Sequence, residues 1–316
     1  MFRTSVRIPV ISLCLLAGCQ SLPGPKTASS TQGMAVAAQP LAAEAARDVL
    51  EAGGNAADAA VAAGFTIAVV EQTMNSIGGR SQILVHNPAA RANNSNETPG
   101  GNPDGNSGGN PGENSDGNFF AYNGMTEIPA SYVRPQDPAR DGYSVIATPG
   151  VVSALARLHE EHGSLPWARL LAPAIEYAAN GFTVLPGEAA RHLRALENIQ
   201  DNPGFRQAVL KTGGATDATT GSATNTTTGD AINTTTNITT HDAGETLIQP
   251  QLAATLNKIA EQGAAAFYQG EIATKIAADM AANGGYITEA DLANYQTLDG
   301  RYISIDYRGY QIHTIA

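Results

Sequence analysis

The stretch from Met34 to Val85 constrains the fold more than any other part of the chain. Leu41, Ala45 and Val49 recur at helical spacing and form an apolar stripe, with charged residues between them. The glycine pair at 53–54 ends this pattern, because glycine adopts the left-handed cap conformation without steric cost. The sequence therefore predicts an amphipathic helix that stops at a glycine turn.

A second helix of different character is predicted directly after that turn. Asn55 is a favourable N-cap, and Asp58 lies in the first turn, near the positive end of the helix dipole. From Ala56 to about Val70 the residues are almost all Ala, Val, Ile and Phe, which predicts burial on most sides. The turn at 76–80 then leads into Ser81–His86, a short apolar run with strand character.

The later part of the chain alternates helical patterns with glycine stops and ends in a strand pattern. The elements predicted there are a helix through Val152, Leu155, Ala156 and Leu158, a helix capped by Ser164 and closed at Asn180–Gly181, helices over Pro250–Gln262 and Glu271–Ala282, a short helix from a Thr288/Asp291 cap to Tyr295, and a hairpin of Tyr302–Tyr307 and Tyr310–Ile315 about Arg308–Gly309.

The joint pattern of these motifs resembles the gamma-glutamyltranspeptidase family. The opening motif reads GGNAADAAVAA and is followed by Ile-Gly-Gly before a strand. Further matching blocks follow in order, at Gly142–Val152, Leu165–Phe182, Gln249–Gly270, Gly284–Leu292 and Tyr307–Tyr310. The resemblance implies an α/β fold, part of the four-layer αββα sandwich of N-terminal nucleophile hydrolases. We expect the fold to be incomplete here, because the pattern stops within a strand near the end of the family's large subunit.

The resemblance also implies the chemistry. In this family a threonine, freed by autocleavage at the start of a small subunit, attacks a gamma-glutamyl amide such as that of glutathione. Its own α-amine acts as the base, and the glutamyl group passes to water, an amino acid or a peptide. The nucleophilic threonine is expected beyond Ala316, so the expected partner is the small-subunit remainder of the precursor. This chain alone is expected to be inactive, and no cofactor is expected.

One internal triplet imitates the processing motif. Thr239-Thr240-His241 spells its beginning, but the triplet lies in a threonine-rich tract and precedes a block that matches the large subunit. The residues after it, at 242–245, are typical of a turn rather than of the apolar strand that must hold a nucleophile. We therefore interpret the triplet as a chance match.

Substrate recognition departs from the family pattern at one position. Met125 stands where the family usually has the arginine that grips the α-carboxylate of the glutamyl group. A guanidinium suits that role because it offers two parallel charge-assisted hydrogen bonds. Arg80 stands where the family commonly has another glycine, so it is a candidate substitute, with a structural arginine at a turn as the alternative. An acylase-type amidohydrolase and an inert envelope lipoprotein that serves as a binding body remain alternative functions.

The two histidines at 159 and 162 do not form a metal motif. The zinc-protease pattern spaces its histidines four residues apart, whereas these are three apart and precede a glycine at the end of a helix. We therefore predict no metal site.

The N-terminus is typical of a bacterial lipoprotein leader. Basic residues precede a short apolar run, and Leu16–Cys19 resembles a lipoprotein cleavage box in which Cys19 receives the lipid. An ordinary secretory signal with a cysteine at this place is the alternative. We predict a signal peptide at 1–19, a polar tether at 20–32 and a globular region at 33–316. The protein would then be attached to a membrane of the bacterial cell envelope through Cys19, facing the periplasm or the outer membrane.

Composition bears on two further points. The net charge of −11 argues against nucleic acid as a partner. Residues 87–118 and 212–245 are rich in Asn, Gly, Thr and Ser and poor in large apolar side chains, so we predict disordered surface inserts there.

Overall fold

A computed structural model describes residues 29–88, 118–137, 139–199, 202–212 and 238–316. The chain divides into a short unit, residues 1–34, and a main unit, residues 35–316. In the described part of the short unit, the N–H groups of Gln32 and Gly33 both donate to Ser30 Oγ. The predicted leader at 1–19 and most of both predicted inserts lie outside the described residues.

The main unit alternates helices with short strands. Its α-helices are α1 Pro40–Glu51, α2 Ala56–Val70, α3 Val151–His162, α4 Trp167–Asn180, α5 Pro186–Ile199, α6 Pro203–Val209, α7 Pro250–Gln262, α8 Ala265–Tyr268, α9 Glu271–Ala282 and α10 Glu289–Asn294, and a 3₁₀ turn covers Tyr143–Val145. Its strands are β1 Ser81–His86, β2 Phe119–Gly124, β3 Phe182–Thr183, β4 Leu210–Thr212, β5 Ile238–Thr240, β6 Thr246–Leu247, β7 Leu298–Asp299, β8 Tyr302–Tyr307 and β9 Tyr310–Ile315.

The glycine turn between α1 and α2 forms as the sequence predicts. Gly53 adopts a φ of +89°, which removes the chain from the first helix. Asn55 caps α2: its side chain accepts from the Asp58 N–H, while the Asp58 carboxylate accepts from the Asn55 N–H. Both halves of this capping box follow from residues that are adjacent in sequence, so the local pattern was sufficient to predict it.

Helix α2 is the centre of the core, as its composition predicts. Phe65 is fully buried and meets Trp167 edge to face, with the ring centroids 5.4 Å apart. The indole N–H of Trp167 donates to Ile259 O at 2.9 Å, so α4 and α7 are joined over the same core. Gly64 lets α3 approach α2 closely, since a Cβ atom there would lie 3.0 Å from the Leu155 side chain.

The sheets are small and antiparallel. Strands order as β1-β2-β7, with Ser81 paired to Gly124 and His86 paired to Phe119. The β8–β9 hairpin forms a separate two-stranded sheet, as predicted. Its turn places Arg308 at φ 51° and Gly309 at φ 81°, both in the left-handed region, as the two-residue hairpin turn of the I′ type requires.

The prediction that Ser164 caps a helix is wrong. Helix α4 begins at Trp167, and Pro166 occupies the cap position without a side-chain cap. Ser164 Oγ instead donates to Asp58 Oδ2 at 2.6 Å, and the N–H groups of Ser164 and Leu165 donate to Asp58 Oδ1. A fully buried carboxylate needs several donors, and Asp58 takes this hydroxyl from a segment 106 residues away in sequence.

The second predicted insert ends earlier than the sequence suggests. Ile238–Thr240 form β5 against β4, and Thr246 pairs with Thr183 in the next small sheet. Thr240 is buried there. Threonine favours a β-strand when its side chain packs against neighbouring elements. The composition of the segment does not show that such a neighbour exists. Among the residues that the structure describes, no helix has the length and hydropathy needed to cross a membrane.

Candidate active site

The two predicted substrate-binding residues lie at the same end of the β1–β2 ladder. Ser81 is paired with Gly124 in the last pair of the ladder, so Arg80, directly before Ser81, and Met125, directly after Gly124, flank that pair. Arg80 is exposed, and none of the described carboxylates pairs with its guanidinium. Met125 is half-buried. A guanidinium without a described carboxylate partner thus lies at the same ladder end as the position where the family pattern has an arginine.

Helix α3 begins directly beside this ladder end. The N–H groups of Gly150 and Val151 donate to Gly79 O at 3.0 and 3.2 Å, so the turn before Arg80 is tied to the helix N-terminus. Glu127 and Thr148 exchange both backbone hydrogen bonds, at 3.0 and 2.8 Å. These bonds fix the strand end and the start of α3 relative to each other.

Two glycines make this approach feasible. A Cβ atom on Gly124 would lie 2.5 Å from Ala154 Cβ. A Cβ atom on Gly150 would collide with Tyr295 Oη and with Gly124 O. Any larger residue at either place would push α3 away from the strand end, which explains the need for glycine in terms of packing.

Two stacked tyrosines brace the same point. Tyr295 Oη donates to Met125 O at 2.7 Å, and Tyr268 Oη donates to Pro149 O at 3.0 Å while accepting from the Ser153 N–H at 3.1 Å. The rings lie 5.5 Å apart and are inclined by only 9°. Burial, reinforced by the Glu127 charge, raises the pKa of Tyr295 to about 12, and burial also raises the pKa of Tyr268. Both hydroxyls therefore remain protonated donors at neutral pH.

A polar network anchors β2 to α3 behind the ladder end. Tyr122 Oη donates to Glu161 Oε2 at 2.6 Å and lies 2.6 Å from His162 Nε2. Arg157 donates to Glu161 and to Asp299, at 2.7 and 2.5 Å, and its guanidinium lies 4.9 Å from the centre of the Tyr122 ring. The network gives β2 a rigid support on the side facing α3.

The histidines of α3 are used in this framework. His159 Nε2 lies 2.7 Å from Leu165 O, and burial lowers the pKa of His162 although the Glu161 charge opposes that shift. The described part of the chain contains no group of three or more His, Cys, Asp or Glu side chains arranged to hold a metal ion. His159 and His162 thus have structural contacts that account for them.

The Thr239-Thr240-His241 triplet lies elsewhere. Thr239 lies in β5 and is paired with Lys211 of β4. The nitrogen of Thr239 is therefore a peptide amide in the middle of the chain and not a terminal amine. His241 Nδ1 lies 3.2 Å from Val209 O, and burial lowers the pKa of this histidine. The small β4–β5 sheet is separate from the β1–β2–β7 sheet that carries Arg80 and Met125. Cys19 lies outside the described residues.

Sequence reasoning did not single out Tyr268 and Tyr295. Tyr268 lies near the end of the Gln249–Gly270 block, which indicates only the family resemblance. Nothing in its periodicity distinguishes it from a core aromatic residue. A tyrosine directly after a short capped helix was the available signal for Tyr295, but its partner is 170 residues away in sequence.

The fold matches solved structures over nearly the whole chain. Gamma-glutamyltranspeptidase of Helicobacter pylori aligns with a TM-score of 0.72 and 26% identity, over 92% of this chain and 72% of that chain. Cephalosporin acylase from Bacillus halodurans aligns with a TM-score of 0.69 and 30% identity, over 94% of this chain and 49% of that chain. The architecture is therefore part of the N-terminal nucleophile hydrolase fold, which confirms the predicted α/β class.

The comparison of sequences narrows this class. The family model described as Gamma-glutamyltranspeptidase matches residues 42–316. A glutathione hydrolase proenzyme of Pseudomonas sp. (strain A14) is 29% identical over 280 residues, which are 89% of this chain and 42% of that protein. An acylase ACY 1 proenzyme of Pseudomonas sp. (strain SE83) is 31% identical over 91% of this chain and 45% of its own length. The chain belongs to the gamma-glutamyltranspeptidase family, and it spans less than half the length of these two relatives.

Proposed function

We propose that this chain is the large-subunit part of an amidohydrolase that cleaves gamma-glutamyl amides of the glutathione type and transfers the glutamyl group to water, amino acids or peptides. The observation that carries the proposal is the position of Arg80, exposed and without an ion-pair partner among the described residues, at the same end of the β1–β2 ladder as Met125. Family membership and the relatives named glutathione hydrolase support the same chemistry. The attacking threonine is supplied by a part of the precursor that this chain does not contain.

Arg80 is the proposed anchor for the substrate's α-carboxylate. Its side chain is exposed, and no carboxylate of the described residues occupies the fork of N–H groups. The turn that carries it is tied to the start of α3, whose dipole adds positive potential at this point. The guanidinium would reach the substrate from β1, whereas the family's usual arginine reaches it from the end of β2.

The test measures kcat/KM of the complete precursor for a gamma-glutamyl anilide. Arg80→Ala should lower kcat/KM about tenfold or more, because a charge-assisted hydrogen bond is worth about 1.5–3 kcal/mol. Arg80→Lys should restore part of this loss, since lysine keeps the charge but not the fork. Arg169→Ala, which removes an exposed arginine on α4, is the matched control. Equal activity of the Arg80→Ala and Arg169→Ala proteins would contradict the proposal.

A second candidate is an acylase with a different acyl group. Met125 cannot bind a carboxylate, and the acylase ACY 1 proenzyme is as similar to this chain as the glutathione hydrolases are. If the natural substrate is a gamma-glutamyl amide, Met125→Arg should raise kcat/KM for gamma-glutamyl substrates. The kcat/KM for acyl amides without an α-carboxylate should then stay nearly unchanged. If turnover of every substrate falls equally, residue 125 is a packing position and not part of the carboxylate site. Wild-type preference for the acyl amides would favour the acylase.

The proposed partner is the remainder of the precursor. The β8–β9 hairpin carries a continuous apolar face in which Tyr307 is paired with Tyr310 and Ile305 with Ile312, and all four side chains are 42–75% exposed. The relatives are named proenzymes and are more than twice as long as the aligned part of this chain. We expect the purified chain alone to hydrolyse no gamma-glutamyl anilide. Turnover that is abolished by Thr239→Ala would overturn this expectation and make the internal triplet the nucleophile.

We also propose that the precursor is a lipid-anchored protein of the bacterial envelope, with the lipid on Cys19. The support is the Leu16–Cys19 box and the polar segment that follows it. In a bacterial host, Cys19→Ser should move the protein from the membrane fraction to soluble or unprocessed forms, and Cys14→Ser should not. Membrane partition that is the same for both variants would contradict the anchor.

A further inference from the structure

We propose that Tyr295 is a positioning residue for the carboxylate anchor, acting with Tyr268 to hold the end of β2 against the start of α3. This inference rests on the proposed function, since the anchor is the Arg80 and Met125 position described above. It assigns a role in substrate binding to two side chains that touch no reacting atom.

Hydrogen bonds from α10 hold the segment that follows β2. Tyr295, the residue that ends this helix, donates to Met125 O at 2.7 Å. Asp291, in the first turn of the same helix, accepts from the Ala130 N–H at 2.8 Å. Residues 125–130 are therefore held at both ends by one short helix. A Thr288–Asp291 capping box in turn fixes that helix.

The second step is the link to α3. Tyr268 stacks on Tyr295 and bonds to the backbone on both sides of the helix start, at Pro149 O and at the Ser153 N–H. Both rings are about 6% exposed, so solvent cannot replace these bonds easily. The absence of a side chain on Gly150 leaves the space that the Tyr295 hydroxyl occupies. The stacked pair thus connects the strand end to the helix start.

The third step is the consequence for binding. Substrate groups bind tightly only when their protein partners are held within about 0.5 Å of the productive geometry. Met125 O is the backbone atom that Tyr295 holds, and Met125 and Arg80 flank the last pair of the β1–β2 ladder, Ser81 and Gly124. Loss of the hydroxyl would release Met125 O, while Asp291 and the Glu127–Thr148 bonds still hold the rest of the segment. The distribution of positions at the carboxylate anchor would then widen. Binding should suffer more than the chemical step.

Tyr295→Phe tests this inference with little risk to folding, because only one oxygen is removed. In the complete precursor we expect KM for a gamma-glutamyl anilide to rise about five- to tenfold with kcat changed less than twofold. Tyr268→Phe should have a similar but smaller effect, and the double variant should cost less than the two single effects combined. Tyr177→Phe is the matched control, since that tyrosine is half-buried on α4 and takes no part in these contacts.

Amide hydrogen exchange gives a readout that does not depend on turnover. In Tyr295→Phe, exchange in peptides covering residues 125–130 should be at least fivefold faster, and exchange in α7 should not change. Unchanged exchange in 125–130, or an unchanged KM in an active precursor, overturns the inference while the proposed function stands. A precursor with no amidase turnover of any kind refutes the proposed function and the binding role together. Faster exchange would in that case show only that the tyrosines brace the loop.

Discussion

Helix α2 and the β8–β9 hairpin are both apolar, yet they lie in opposite environments. Ten of the fifteen residues of α2 are buried, and Phe65, Val61 and Val69 are fully so. In the hairpin, Ile305 is 56% exposed and its cross-strand partner Ile312 is 42% exposed. The difference shows that an apolar pattern specifies a surface to be covered but not the element that covers it. Other elements of the chain bury the apolar surface of α2, whereas the described residues leave the apolar face of the hairpin exposed.

The inner face of the hairpin explains how it is attached. His313 of β9 stacks on Phe119 with the ring centroids 3.9 Å apart, and His86 of β1 stacks on Phe119 at 4.5 Å. The Gly300 N–H, just before the hairpin, donates to Ala121 O at 2.7 Å. An isolated two-stranded hairpin is marginally stable, so these contacts with the body are needed to hold it.

The largest expected effect tests whether the two regions differ in stability. Phe65→Ala should lower the free energy of unfolding by about 3–5 kcal/mol, because it deletes a buried ring and leaves a cavity. Ile305→Ala should change it by less than about 0.5 kcal/mol, since the side chain is already solvated. Urea unfolding of both variants measures the change in the free energy of unfolding. Equal losses would mean that the hairpin face is covered in solution, for example by a second copy of the chain.

The body also contains a buried charge whose contribution depends on pH. Burial opposes the ionisation of Glu188, but hydrogen bonds from His192, Thr73 and Arg191 outweigh it and lower the pKa to about 2. Because the folded pKa lies below the unfolded one, ionised Glu188 stabilises the fold above about pH 4.5, and this contribution is lost as the pH falls towards 2.

The shift corresponds to about 3 kcal/mol between neutral pH and pH 2. Urea unfolding at several pH values should show this loss in the wild-type protein. Glu188→Gln is the control, because other carboxylates titrate in both proteins and only their difference reports Glu188. If the free energy of unfolding depends on pH in the same way in both proteins, Glu188 does not contribute to the loss of stability in acid.

Two serines, one beside the buried Asp58 and one on the hairpin, allow the same comparison with a smaller expected change in stability. Ser164 Oγ donates to the buried carboxylate of Asp58 at 2.6 Å, whereas Ser304 Oγ lies 2.7 Å from His313 Nδ1 on the exposed hairpin. Ser164→Ala should cost about 1 kcal/mol, because the fully buried Asp58 carboxylate loses one of its donors, although Ser164 itself is exposed and water can partly replace the hydroxyl. Ser304→Ala should cost less than about 0.5 kcal/mol. Thermal unfolding under identical conditions distinguishes them, and the reverse order would contradict the assignment of the buried site.

The smallest expected change in stability has the clearest consequence for association. Ile305→Lys places a charge on the apolar face of the hairpin, and the free energy of unfolding should change by less than about 0.5 kcal/mol. Binding of the remainder of the precursor, or self-association of the chain, should weaken, because a buried lysine in an interface is costly. Sedimentation velocity measures self-association, with Gln251→Lys at an exposed position of α7 as control. Equal association of both variants would exclude this face as the docking surface.

The sequence by itself determined most of the local structure. The bounds of α2, α7 and α9 and of both hairpin strands agree with the predicted ones. Capping residues, glycines at positive φ and the alternation of apolar residues act over a few positions, so they are legible without any tertiary information. The family blocks likewise predicted the fold class and placed Arg80 and Met125 as candidates.

Tertiary structure decided how these elements meet. The register of β1 against β2 brought Arg80 and Met125 to the same end of the ladder, although they are 45 positions apart in the chain. Asp58 took the hydroxyl of Ser164 that the local pattern assigned to a helix cap. Tyr295 reached Met125 O from 170 residues away. Such contacts depend on which buried polar groups need partners once the core has formed, and that demand arises only when distant segments are packed together.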